Sequence, residues 1–173
     1  MTPIEKLASV DLLIMDVDGV LTQGEVTYCD DGSQIKHFNV KDGLGLRLLM
    51  DAGIQTAIVT GRSAGALQAR VNNLGIPLLF DGVSDKAKAL DEVVARSGVP
   101  AERMAFIGDD LPDLPIMKRV GVSIAVADAA AEVRERAHLT TTHAGGRGAV
   151  RETCEAILKA KGLWDKAIER YLA

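Results

Sequence analysis

Asp16 and Asp18 stand two positions apart where the apolar run Leu12, Leu13, Ile14, Met15 ends, so an extended backbone there aims both carboxylates at one place. Three other apolar runs end in comparable groups: Ile58, Val59, Thr60, Gly61, Arg62; then Ser84, Asp85, Lys86; then Phe106, Ile107, Gly108, Asp109, Asp110, with Asp113 close behind. Paired acids, a hydroxyl and an amine suit phosphoryl transfer. One carboxylate can attack phosphorus while the other protonates the leaving alkoxide and later activates water. Asp16, nearer the apolar run, is the expected nucleophile, and Asp18 the acid/base. Carboxylates crowded to about 4 Å repel by about 4 kcal/mol at an effective dielectric near 20. A hard divalent cation relieves that repulsion, and Mg²⁺ suits an all-oxygen site. The expected ligands are Asp16, Asp109 and the backbone carbonyl of Asp18. Charge developing on the phosphoryl oxygens calls for fixed donors and a cation, roles that fit Thr60 and Lys86. Taken singly, Thr60 reads equally as a helix N-cap, Lys86 as a surface charge and Asp113 as a capping acid. Their joint placement after apolar runs favours the chemical reading.

The elements that must hold these groups follow from periodicity. Residues 12–15, 56–59, 78–80, 104–107 and 122–126 read as buried strands. Between them, Leu67, Val71 and Leu74, and then Ala87, Leu90, Val93 and Val94, recur at helical spacing. Alternating strand and helix predicts an α/β fold with a doubly wound parallel sheet, in which ligands sit beyond the carboxyl ends of the strands. Residues 23–39 break the rhythm, with Glu25 to Tyr28 and Gln34 to Asn39 flanking Asp30, Asp31, Gly32 as a β-hairpin would. Leaving directly after the acid pair, the hairpin would stand over the site as a flap. A helix is expected from about Asp42 to Ala52. Val150, Cys154, Ile157 and Leu158 mark a C-terminal helix, preceded by the glycine-rich run Ala144 to Gly148, expected to form a flexible arm. Together with the helices after it, that arm makes a C-terminal region of about 144–173. The whole chain, 1–173, reads as one domain.

At 173 residues and 47% hydrophobic content the chain can bury one sizeable core. Lys and Arg total 20 against 24 Asp and Glu, which gives no reason to expect nucleic acid or an anionic membrane as partner. Cys29 and Cys154 form no CxxC unit, as expected of reduced thiols in the cytoplasm. The N-terminal stretch, with acidic Glu5 and Asp11, lacks the pattern of a signal peptide. Gly43, Leu44, Gly45 lacks the third glycine of a dinucleotide fingerprint, and His37, His138 and His143 lack metal-ligand spacing.

DVDGVLT at 16–22, Thr60, Lys86 and GDDLPD at 108–113 occur in the order in which the haloacid dehalogenase-like phosphatases carry them, and the chain resembles that family. The resemblance implies a Rossmann-like fold, Mg²⁺ and a phosphoaspartate intermediate. NVKDG at 39–43, Arg47, Arg62, Arg70 and GGRGAVRE at 145–152 extend the likeness to a branch without a separate cap domain, whose members release phosphate from an eight-carbon ulosonate ester on the way to lipopolysaccharide. That likeness implies substrate contacts from Asp18, Asn39, Val40, Lys41, Asp42, Gly43, Arg47, Thr60, Gly61, Arg62, Arg70, Lys86 and Arg147. It also implies a homotetramer. Arg62 and Arg70, expected on one helix, would clamp acidic substrate groups by paired hydrogen bonds. With no room for a cap between the motifs, hairpins of neighbouring subunits would wall the site, and the arm bearing Arg147 would reach an adjacent one. A nine-carbon ulosonate substrate remains an alternative within this class. A receiver-like phosphoacceptor domain is the alternative outside it, disfavoured because Asp18 promotes turnover; a catalytically silent oligomerisation domain is disfavoured by the intact catalytic positions.

Overall fold

A computed structural model of the chain describes residues 2–173. Strands β1 (Leu12–Met15), β4 (Gln55–Val59), β5 (Leu78–Phe80), β6 (Met104–Gly108), β7 (Val122–Ala125) and β8 (Leu139–Thr140) form one sheet in the order β5-β4-β1-β6-β7-β8. Every pairing in it is parallel. Strands β2 (Thr27–Tyr28) and β3 (Gln34–Ile35) pair antiparallel as the hairpin. The helices are α1 (Pro3–Lys6), α2 (Val40–Asp51), α3 (Gly65–Leu74), α4 (Lys86–Ser97), α5 (Leu114–Met117), α6 (Ala131–Arg136), α7 (Ala149–Ala160) and α8 (Trp164–Ile168). α2 packs on α7 and α4 on α5, and right-handed crossovers place these two pairs on opposite faces of the sheet.

All four β1 residues are buried, as expected of a central parallel strand covered on both faces. The chain runs from β1 outward through β4 and β5, then returns to the other side of β1 as β6. That reversal opens a crevice at the carboxyl end of β1, the place where such sheets bind ligands. The register Met15↔Ile58 and Met15↔Ile107 brings the residues after β1, β4 and β6 to the same edge.

Several elements differ from the sequence expectation. The hairpin strands are two residues each, because the turn is held by local bonds: Asp31 Oδ1 accepts from Ser33 N at 2.9 Å and Cys29 N donates to Ser33 O at 2.8 Å. α2 begins at Val40 because Asn39 Oδ1 caps it through Lys41 N. β8 carries no apolar run to announce it. Residues 144–148 form no free arm: Gly146 N donates to Val20 O at 2.8 Å, Gly145 N to Asp128 Oδ1 at 2.9 Å, and Asn39 Nδ2 to Gly146 O at 3.3 Å. A Cβ on Gly145 would lie 1.7 Å from Gly19 O, so the glycines serve close packing onto the loop after β1. Arg62 precedes α3 and does not share its helix with Arg70, because Thr60 and Gly61 lead into a loop that Val83 N closes by donating to Thr60 O. Both cysteines are free, Cys154 within the core. Among the described residues no helix is long and apolar enough to cross a membrane.

Candidate active site

Asp16 leaves β1 with its amide donating to Ile107 O at 3.1 Å, which fixes its backbone between β1 and β6. Val17 then turns into the core while its carbonyl accepts from Val20, Leu21 and Thr22 N; the Thr22 hydroxyl accepts from the amides of Gly19 and Gly24. This knot explains the local sequence, since a Cβ at Gly19, where φ is +88°, would come within 2.0 Å of Asp109 Oδ2. The DVDG glycine therefore lets the Asp109 carboxylate approach the loop.

GDDLPD resolves into a capped turn. Asp110 accepts from Leu111 N at 2.8 Å, and Asp113 Oδ2 accepts from the amides of Asp109 and Asp110 at 2.8 and 3.3 Å. Asp113 is fully buried, and its Oδ1 accepts from Lys86 Nζ at 2.5 Å. Lys86 lies 3.1 Å from Asp16 Oδ1 and bridges the two acids. It opens α4, whose N-cap Asp85 accepts from Ala87 and Lys88 N. At 8% exposure Lys86 is no surface charge. Thr60 is buried too and is not the cap of α3, a position that falls to Ala64; its hydroxyl accepts from Arg62 N at 3.4 Å.

Oxygens of Asp16, Asp109 and Asp113 lie within 4.8 Å of one another. Burial first, and then the Asp113 charge, push the Asp16 carboxyl up to about 6 against the pull of Lys86. Burial followed by Asp16, Asp113 and Asp110 lifts Asp109 to about 8. Burial alone would lower the Lys86 ammonium, but Asp16 and Asp113 outweigh it and hold it raised. The cluster thus carries more negative charge than one lysine balances, and its donors are all carboxylate oxygens; both features fit a hard divalent cation. Asp113 already accepts three hydrogen bonds, which leaves Asp16 and Asp109 as the freer ligands.

The Asp18 carboxylate lies outside this cluster, leaving only its backbone carbonyl for a metal. Its Oδ1 is held by Lys36 of the hairpin, and Arg62 Nε lies 3.9 Å from Oδ2. Lys36 was not anticipated. The available signal was its phase: Gln34, Lys36 and Phe38 alternate inward while Ile35 and His37 are exposed.

A cavity of about 750 Å³ is lined by Asp16, Asp18, Thr60, Gly61, Arg62, Lys86, Asp109, Asp110 and Asp113, among others. The remaining expected substrate contacts lie outside it. Asp42 is 1% exposed, and its Oδ1 accepts from Arg151 N at 2.8 Å, which ties α2 to the start of α7. Gly43 is buried against Arg70, whose Nη2 donates to Asn39 O at 3.1 Å. Arg47 donates to Asn73 O and Arg147 to Gln23 Oε1. Val40, Gly43, Arg47 and Arg70 line a second hollow, and Lys41 and Arg147 a third. In the single chain these groups line hollows apart from the reaction cavity: Val40, Lys41, Gly43 and Arg47 belong to α2, Arg70 to α3, and Arg147 to the loop before α7.

Known proteins with this arrangement supply a comparison. The haloacid dehalogenase-like hydrolase family model matches residues 80–152. A 3-deoxy-D-manno-octulosonate 8-phosphate phosphatase of Yersinia pestis is 48% identical over 158 residues, spanning 91% of this chain and 84% of the relative. Its Escherichia coli K12 counterpart is 44% identical over 164 residues, 95% of this chain and 87% of the relative. The crystal structure of the Moraxella catarrhalis phosphatase of the same name, in complex with magnesium ion, phosphate ion and KDO, superposes with a TM-score of 0.95 at 40% identity, covering 98% of this chain and 97% of that one.

Proposed function

Since the chain belongs to the haloacid dehalogenase-like 3-deoxy-D-manno-octulosonate 8-phosphate phosphatases, we propose that it hydrolyses that ester with Mg²⁺, releasing phosphate and the free acid sugar for lipopolysaccharide synthesis. The observation that carries the reading is the meeting of Asp16, Asp109, Lys86 and Thr60 in one cavity at the switch point of the sheet.

Asp16 attacks phosphorus in line with the ester oxygen. As the P–O bond to the sugar breaks, Asp18 gives its proton to the leaving alkoxide, leaving phosphate on Asp16. Asp18, now a carboxylate, takes a proton from water, whose oxygen attacks phosphorus, frees phosphate and restores Asp16. Lys86 holds the Asp16 carboxylate through 3.1 Å contact and adds positive charge beside the transferring group, while the Thr60 hydroxyl offers it a hydrogen bond. Asp16 and Asp109, with the Asp18 carbonyl, would hold Mg²⁺, which when bound neutralises charge on the phosphoryl oxygens.

Tyr28, Ile35 and Val40 are exposed on and beside the hairpin, at 61%, 45% and 78%. Apolar surface of this kind supports an oligomer in which flaps of several copies, four in our reading, enclose the sites and bring Arg47, Arg70, Lys41 and Arg147 toward a neighbour's substrate. Free thiols at Cys29 and Cys154 support residence in the cytoplasm. Phosphate release with Mg²⁺ across eight- and nine-carbon ulosonate phosphates, hexose phosphates and an aryl phosphate tests the assignment. Preference for the eight-carbon ester is expected; preference for a hexose phosphate overturns it.

A further inference from the structure

Lys36 is the one hairpin residue whose side chain reaches the acid/base, and its surroundings show a built contact rather than a stray surface pairing. Its side chain is 3% exposed, against 19% for Asp18. Lys36 directly follows β3, and the segment after it is fastened by Phe38 and Asn39. Phe38, in phase with Lys36, packs against the core and lies 5.7 Å beneath the Arg70 guanidinium; Asn39 caps α2 and donates to Gly146 O. The base of the flap is therefore fixed by core and cap, and Lys36 projects from that fixed base to one oxygen of Asp18.

The choice of oxygen has a chemical consequence. Lys36 occupies Oδ1, while the other charge near Asp18, Arg62 Nε, stays 3.9 Å from Oδ2, beyond hydrogen-bond reach. Oδ2 is left to meet a leaving-group oxygen. The carboxylate also stands outside the Asp16, Asp109 and Asp113 cluster, where it would join the metal ligands and lose its role in proton transfer.

We propose that Lys36 is a positioning residue: it fixes the rotamer of Asp18, presents Oδ2 to the leaving oxygen, and thereby couples the seating of the flap to protonation of the departing sugar. This rests on the phosphatase reading above. Its signature is dependence on the leaving group. An alkoxide departs only with a proton, whereas 4-nitrophenolate departs readily without one, so misplacing the acid harms the first ester selectively. A purely structural lysine would depress both alike.

The test compares kcat/KM, which covers the steps through loss of the leaving group, for wild type and Lys36→Met on octulosonate 8-phosphate and on 4-nitrophenyl phosphate. The expected loss on the sugar ester is about 10² -fold, the lower range for a general acid, and exceeds the loss on the aryl ester by at least about tenfold. Equal losses, a larger loss on the aryl ester, or no loss on either overturns the proposal. Should Lys36→Met fail to fold, Lys36→Arg, which keeps the charge but shifts the donor, is measured in the same way and judged by the same inequality. If wild type ignores the octulosonate ester but hydrolyses another alkyl phosphate, the substrate assignment falls, and that ester replaces it in the comparison, so the two failures stay distinct.

Discussion

The carboxyl edge of β1, β4 and β6 and the outer side of α2 both gather charged residues, yet they are built in opposite ways. At the sheet edge the groups are buried or half-buried and held by their own chain: Asp113 by two amides, Lys86 by two acids, Asp16 by the strand register. On and beside α2, Lys41 and Arg47 of that helix and Arg70 of α3 sit on exposed or half-exposed positions, and the arginines donate to carbonyls of their own chain. The groups proposed for the reaction line one cavity of a single chain, whereas the cations proposed to read an acidic sugar line other hollows. In the proposed assembly, the difference assigns the chemistry to the fold of one chain and recognition to contacts between chains.

The sharpest way to break this contrast is at Asp16. Asp16→Asn should lower turnover by at least about 10⁴-fold because the nucleophile is gone, while circular dichroism stays that of the parent. Retained turnover would remove the covalent mechanism. Lys86→Met should cost about 10²–10³ in kcat and, by leaving buried carboxylates without their cation, about 3 kcal/mol of stability in denaturant titration. If stability is unchanged, the sheet edge is less tightly interdependent than its hydrogen bonds indicate.

Metal removal addresses the same half more gently. In the metal-free chain Asp16 and Asp109, at about 6 and about 8, hold protons that the unfolded chain gives up near 3.8. The folded state then binds more protons, so its stability falls as pH rises from about 4 to about 8. Saturating Mg²⁺ should flatten that fall; melting temperatures that rise with pH without Mg²⁺ would contradict it. Asp42→Ala, on the α2 side, should cost only about 1–2 kcal/mol, the loss of a cap that joins α2 to α7, measured by the denaturation midpoint. The smallest effect is expected from dilution with the aryl phosphate as substrate. As the proposed oligomer dissociates, KM for the acid sugar ester should rise while aryl phosphate turnover barely moves. Equal constancy of both would place recognition inside one chain.

Strand positions were readable because parallel central strands are uninterrupted apolar runs, and 12–15 and 78–80 coincide with β1 and β5. β8 was not, since two residues at a sheet edge leave no pattern. At the site, Asp16, Thr60, Lys86 and Asp109 could be named from their place after such runs. Lys36 and the buried role of Asp42 could not, because each depends on a partner far along the chain, Asp18 and Arg151, that no local periodicity specifies.

The amino-acid order by itself determined which acids, hydroxyl and amine follow the core strands, and with them the class of reaction, since strand ends are set by local hydrophobic pattern. Tertiary structure alone decided which carboxylates share a metal-sized cluster, which oxygen of Asp18 pairs with Lys36, and that the glycine-rich segment lies packed against the first loop. Those outcomes turn on contacts of a few ångströms between segments distant in sequence, where close packing and burial, rather than local propensity, select one geometry.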